Sequence, residues 1–361
     1  MTPYSLLLPL LGHIDAETAH GLAIKGLSSG LVQVCAAVRP APDDPILATQ
    51  VWGLEFPNPV GMAAGFDKGA QVCDALLALG FGFTEAGTVT PLPQSGNPRP
   101  RLFRLMEDEA VINRLGFNSE GIEVVARRLE ARTRKGIVGA NVGKNKESAD
   151  ASADYETCIR RVARACDYLV VNISSPNTPG LRALQARAQI AELIGRSLEA
   201  RAQACKGAAG TPPMLVKIAP DLTENQLQDI SEVAIASGVD GLIVANTSTE
   251  RPAMHSVHRD EPGGLSGRPI AALARERLAQ VYRLTGGRLP LIGSGGIDSA
   301  AEAYARIRAG ASLLQFYSAM VFKGPGLANE IKLGLAERLR ADGFGSVTQA
   351  VGADHRSSAG R

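Results

Sequence analysis

The chain has no C-x-x-C pair: its five cysteines, Cys35, Cys73, Cys158, Cys166 and Cys205, are odd in number and widely spaced. That pattern argues against a disulfide framework, a zinc site or an iron–sulfur cluster, and a reducing compartment is expected. Aromatic residues are scarce at 4%, too few for a platform on which single-stranded bases stack. Neither sign of charge dominates, since 38 Lys+Arg against 36 Asp+Glu leave a formal +2; nucleic acid is not an expected partner. No apolar run approaches the ~18 residues of a spanning helix. The opening, MTPYSLLLPLLGHIDAE, lacks the basic start of a signal peptide, so the expectation is a chain neither secreted nor transmembrane.

What is present is apolar substance and glycine. Hydrophobic residues at 45% and charged residues at 20% describe a globular protein able to bury a core. At 361 residues the chain suits two ordinary domains or one large barrel. The 39 glycines, roughly 11% against a usual 7%, point to many sites of left-handed backbone or close approach.

From about residue 58, short apolar runs alternate with amphipathic stretches of helical length, the pattern of a parallel sheet with crossover helices. Strands are predicted at PVGMAAG from Pro59, GFTEAGTV from Gly82, IVGANVG from Ile137 and YLVVNIS from Tyr168. Four more follow at MLVKIA from Met214, LIVANT from Leu242, LPLIGSGG from Leu289 and LLQFYS from Leu313. Eight such units fit an α/β fold of the (β/α)₈ TIM-barrel type. A doubly wound sheet would carry its Gly-rich turn after the first strand, whereas here those turns come late. The domain expectation is a helical extension over 1–45, a barrel over 46–341 and a disordered tail over 342–361.

The extension, with LLLPLL and then AETAHGLAIKGLSSGLVQVCAAV, is predicted to be a helix pair with a broad apolar face formed by Leu6, Leu7, Leu8, Leu10, Leu11, Leu22, Ile24, Leu27, Leu31 and Val34. Two readings stand: a cap over the barrel bottom, or an amphipathic membrane-surface element that admits an apolar ligand. If it is an entrance, its removal is expected to spare chemistry at the opposite, polar side.

Barrel strands fill their interior with aliphatics, so polar residues at strand ends carry function. Lys217 interrupts MLVKIAP, where an unpaired ammonium is costly to bury; it needs an anionic partner. Asn141, Asn172 and Asn246 close three apolar runs at equivalent places, which suggests amides converging on a planar, hydrogen-bonding ligand. IGSGGIDS at 292–299 offers consecutive glycine amides with Asp298 as the expected helix N-cap, a phosphate-binding arrangement. GGLSGRP at 263–269 and QFYS at 315–318 could add main-chain donors. NISSPNTPGLR at 172–182 forms a stiff polar loop in which Ser175 has no G-x-S-x-G elbow and no nearby histidine, so an acyl-transfer triad is not expected. Lys68 and Asn113 fall on loops after the first and second strands, while His255 and His258 form an H-x-x-H without an acidic partner. No metal site is expected.

In order and spacing, AAGFDK, GTVTPLPQSGNPRPRLFRL, INRLGFN, GKNK, NISSPNTPGLR, VKIAPDL, NTS, GGLSGRP, GSGGIDS and FKGP resemble the membrane-associated class 2 dihydroorotate dehydrogenases, from the extension to about residue 335. The resemblance implies an FMN-containing barrel that oxidises dihydroorotate to orotate in pyrimidine synthesis and hands the electrons to a quinone. It implies Ser175 as the base for the C5 proton. Substrate would be held by Lys68, Asn113, Asn172, Asn177, Asn246 and Thr247, with Arg114, Leu115, Gly116 and Phe117 completing that segment. FMN would be met by Ala64, Gly65, Phe66, Asp67, Lys68, Thr88, Asn141, Asn172, Lys217, Ala245, Gly267, Gly296, Tyr317 and Ser318. Ala245 stands where a hydroxyl residue often occurs, which leaves a main-chain contact. Class 1 relatives use cysteine as base and lack the extension; Ser175 and the helix pair here resemble class 2, which places His20 and Arg104 near a quinone tunnel. The same resemblance implies a monomer bound peripherally to the cytoplasmic side of the cell inner membrane.

Overall fold

The computed structural model describes residues 4, 8, 12–30, 40–133 and 135–356. Eight parallel strands close into a barrel: β1 Val60–Met62, β2 Phe83–Val89, β3 Ile137–Val142, β4 Tyr168–Asn172, β5 Met214–Ile218, β6 Gly241–Val244, β7 Leu291–Ser294 and β8 Leu313–Phe316. Neighbours in sequence are neighbours in space all the way round, with β8 pairing β1. All eight predicted strands are present. They were legible because β2, β3, β4 and β5 are buried at every residue, and a strand covered on both faces reads as an unbroken apolar run.

Large and small residues interlock inside the barrel. A β-carbon at Gly139 would lie 2.1 Å from the Tyr168 ring, and one at Gly61 would lie 2.3 Å from that of Phe83. The bottom is closed by an antiparallel hairpin, Thr49–Val51 with Leu54–Phe56. Phe56 meets Phe83 edge-on at 5.4 Å, and the Trp52 indole N–H donates to the Asp240 carbonyl at 2.7 Å. This hairpin, rather than the N-terminal extension, is the lower cap.

The extension lies at the opposite end. Helix α1, Ala16–Ser28, starts at Asp15, whose carboxylate accepts from the Thr18 N–H. The first member of the expected helix pair falls largely outside the described residues, as do Leu6, Leu7, Leu10, Leu11, Leu31 and Val34. Within α1, Leu27 is buried and Leu22 is 54% exposed.

Above the barrel mouth, a three-stranded antiparallel sheet joins Leu102–Leu105, Ala110–Asn113 and Gly264–Gly267. The expectation of a disordered tail is corrected up to residue 356. Residues Val347–Ala350 form a short helix that buries Val347 and Ala350 completely. The Gly352 N–H donates to the Ile307 carbonyl at 3.0 Å, and the His355 ring stacks on Tyr282 at 5.0 Å. Residues 357–361 lie outside the described ones. Among the described residues, no helix is long and apolar enough to cross a membrane.

Candidate functional site

The C-terminal ends of the strands, the three-stranded sheet and α1 enclose a cavity of about 490 Å³, within the range of small-molecule sites. Its floor rests on a polar network. The Thr88 hydroxyl donates to Asn141 Oδ1 at 2.5 Å, and Asn172 Nδ2 donates to Thr88 Oγ1 at 2.8 Å. Asn141 Nδ2 continues to Glu85 Oε1 at 2.7 Å, and Glu85 Oε2 accepts from Gln315 and Tyr168 at 2.7 and 3.1 Å. Lys217 projects from β5 beside Asn172 of β4. Burial lowers its pKa, while attraction to Glu85 opposes that shift.

Beside this floor stands the 174–182 loop. The Asn177 N–H donates to Ser175 Oγ at 3.2 Å, and Ser175 lines the cavity. Asn177 Nδ2 donates to the Asn113 carbonyl at 3.0 Å, and Asn246 Nδ2 donates to Ser174 Oγ at 2.8 Å. Arg182 fastens the loop from behind, donating to the Ser174 and Thr247 carbonyls at 3.1 and 2.9 Å and pairing with Asp221 at 2.6 Å.

After β7, Gly295 and Gly296 both adopt positive φ, 90° and 76°. A β-carbon at Gly296 would lie 2.5 Å from Ala271 Cα, so glycine is required there twice over. The amides of Gly296 and Ile297 have no partner among the described residues, which suits an anion-binding turn. Arg306, fully buried below, donates to the carbonyls of Ser294, Gly295 and Ala271 and pairs with Glu302 at 2.7 Å. The expected N-cap is corrected: Ser299 caps the helix Ala300–Arg308, and Asp298 pairs with Arg268 at 2.9 Å.

The other side of the cavity is apolar. Ala19, Leu22, Ala23 and Leu27 of α1 line it together with Leu102, Phe322 and Pro325. His20 Nδ1 lies 3.2 Å from the Tyr317 hydroxyl; burial first, and Lys68 second, lower its pKa to about 4. Arg104 donates to the Ile14 carbonyl. Lys68 borders both this cavity and an adjoining cleft lined by Gln94, Asn97, Arg99 and Arg101. Burial drives its pKa down to about 8, against attraction from Glu17.

Nearly all residues expected at the site line this one cavity, from Ala64, Gly65, Phe66 and Lys68 through Asn113, Leu115, Gly116 and Phe117 to Ala245, Gly267, Tyr317 and Ser318. Three side chains do not. Asp67 accepts from the Gln71 and Val72 amides. Arg114 turns out to Glu261 at 2.7 Å and over the Phe103 ring, and Asn141 lies in the layer beneath the wall. Sequence reasoning missed Glu85, although a charge inside FTEAGTV is the same signal that singled out Lys217. It also missed Arg182 and Arg306, whose partners are carbonyls that no sequence pattern marks.

A family profile described as dihydroorotate dehydrogenase matches residues 46–339. The chain belongs to the dihydroorotate dehydrogenase family. It is 58% identical over 360 residues to "Dihydroorotate dehydrogenase (quinone)" of Xanthobacter autotrophicus, covering 99% of this chain and 100% of that protein. The Rhodospirillum rubrum protein of the same name is 56% identical over 99% of this chain and 96% of its own length. The crystal structure of DHODH from Eimeria tenella in complex with ferulenol superposes with TM-score 0.90 at 41% identity, covering 96% of this chain and 97% of that one. The two bacterial relatives are named for the quinone class of the family.

Proposed function

We propose that the cavity serves two substrates from two sides, dihydroorotate under the Ser175 loop and an apolar quinone along α1. The chain is an FMN-dependent oxidoreductase that converts dihydroorotate to orotate with a quinone as acceptor, in pyrimidine biosynthesis. The observation that carries the two-sided reading is that Ser175, Lys217 and Leu22 wall a single cavity, polar at one end and apolar at the other.

The residues present fit FMN. The unpartnered amides at Gly296 and Ile297, with Gly267 and Ser318 close by, would take its phosphate. Thr88, Asn172 and Lys217 would meet the ring, with Asn141 holding the first two in place. Ala64 to Lys68 and Ala245 would add main-chain contacts, Asp67 through its backbone alone. When bound, FMN supplies the acceptor for hydride and the route of electrons to the quinone.

The chain's own work is to bind, orient and deprotonate. Lys68 offers a cation to the substrate carboxylate, while Asn113, Asn172, Asn177, Asn246 and Thr247 offer amide and hydroxyl groups to the ring. The backbone of Leu115 to Phe117 closes over them. Arg114 contributes through its backbone, because its guanidinium is engaged elsewhere. Ser175 removes the C5 proton. As its oxygen takes that proton the hydroxyl passes its own to water, and the N–H of Asn177 on the oxygen holds it in place and favours that departure.

At the apolar end, the exposed Leu22 and the rim of α1 would rest on a lipid surface. The protein is read as a peripheral monomer at the cytoplasmic side of the inner membrane. The test is anaerobic: dihydroorotate should bleach the flavin, and short- and long-chain quinones should restore it. Leu22→Glu should slow only the long-chain reoxidation and lower sedimentation with liposomes. Equal reoxidation by both quinones, with undiminished liposome binding, would sink the entrance reading.

A further inference from the structure

The extension reaches further than the apolar rim. Glu17 stands in the first turn of α1 and grips Arg101 with both oxygens, Nε to Oε2 at 3.0 Å and Nη2 to Oε1 at 2.7 Å. Arg101 is only 6% exposed. Its remaining nitrogen, Nη1, donates to the Ser95 and Asn97 carbonyls at 2.6 and 2.7 Å. The loop held in this way presents Asn97, whose Nδ2 donates to the carbonyls of Asn177 and Arg114 at 3.1 and 3.0 Å. Asn177 in turn carries the N–H that meets Ser175 Oγ. The seat has little room for slack: a β-carbon at Gly96 would lie 2.3 Å from the Leu115 carbonyl oxygen, and one at Gly116 would lie 2.7 Å from the Asn97 amide.

We propose that Glu17, Arg101 and Asn97 form a brace from the N-terminal extension to the Ser175 loop, and that all three are positioning residues for dihydroorotate oxidation. This rests on reading Ser175 and Lys68 as part of the substrate site. The extension then serves both half-reactions, and its removal disturbs the first as well as the second. Energetics favour the Arg101 link over its neighbour. A nearly buried guanidinium stripped of its carboxylate is costly, whereas Arg99, 71% exposed, contributes little through the same carboxylate.

The brace also carries charge to Lys68. Glu17 and His20 reach it from α1, Arg101 from the 95–101 loop and Asp67 from its own segment. Removing the Glu17 charge leaves only Asp67 to oppose the repulsion of Arg101, so Lys68 loses its proton at lower pH.

The experiment uses the full-length, flavin-loaded enzyme. Flavin reduction by dihydroorotate is followed anaerobically in stopped flow from pH 6 to 9, and reoxidation is followed with a short-chain quinone. Glu17→Gln should weaken dihydroorotate binding about tenfold, a typical size for coupling between sites. It should also move the alkaline loss of affinity to lower pH than in wild type. Asn97→Ala keeps every charge, so it should leave that pH unchanged and slow flavin reduction by about 10- to 100-fold, the scale of a misplaced reacting group. Reoxidation should be unaffected in both. If Glu17→Gln does not retain flavin, Asn97→Ala alone decides. Wild-type binding and reduction in the variants, alongside impaired Ser175→Ala, would overturn the brace. Unimpaired Ser175→Ala would instead overturn the site reading, and the brace with it.

Discussion

Replacing Lys68 by Met should make the ligand-free enzyme more stable and leave it insensitive to orotate. The pKa of Lys68 is lowered from 10.5 to about 8, chiefly by burial. At about 1.4 kcal/mol per tenfold change, holding that ammonium in the folded protein costs at most about 3 kcal/mol. The side chain opens onto two cavities, and water there screens part of the cost, leaving about 2 kcal/mol. Met keeps the stem and removes the charge, so thermal unfolding, followed by release of flavin fluorescence at pH 7, should rise by about 3 °C. The sign with pH follows from proton linkage. Below about 8 both native and unfolded states carry the proton and the cost is constant; between there and 10.5 the unfolded state binds more protons, so wild type regains stability and the gap closes. Saturating orotate should reverse the order, because ligand at about 100 times its Kd stabilises wild type by about 2.7 kcal/mol and the variant scarcely at all. A Lys68→Met protein that is less stable without ligand would refute the burial argument, and one that orotate stabilises like wild type would refute the assigned role.

Two other outcomes are expected. Ser175→Ala should keep its flavin and still bind orotate, while flavin reduction slows by about 10² to 10⁴; the loss should shrink at high pH, where hydroxide substitutes, and an unchanged reduction rate would remove Ser175 as the base. Arg306→Met should weaken FMN far more than riboflavin, since it loosens the Gly295–Gly296 turn that would hold the phosphate; equal losses for the two flavins, measured by fluorescence titration, would show a general packing defect instead.

The sequence by itself determined the barrel. Strands buried on both faces must be apolar along their whole length, so Tyr168–Asn172 and Met214–Ile218 announce themselves, and a polar residue at the end of such a run, such as Asn172, stands out. A charge within the run stands out too, as Lys217 did and as Glu85 should have. Only the tertiary structure decided what those charges meet: Lys217 and Glu85 lie 132 positions apart in sequence and act on each other across the barrel floor. The same holds for the sheet above the mouth, where Ile112 pairs with Leu265 and neither four-residue strand carries a pattern of its own. It holds for the tail, whose Val347 and Ala350 are buried by a surface formed elsewhere in the chain, and for the Thr49–Phe56 hairpin that took the capping role open to the extension. Local sequence encodes how much of a segment is hidden and which backbone shapes it accepts. Which surface hides it, and which distant carboxylate faces a given arginine, as Glu17 faces Arg101, is fixed only when the barrel closes and brings those surfaces within a few ångströms.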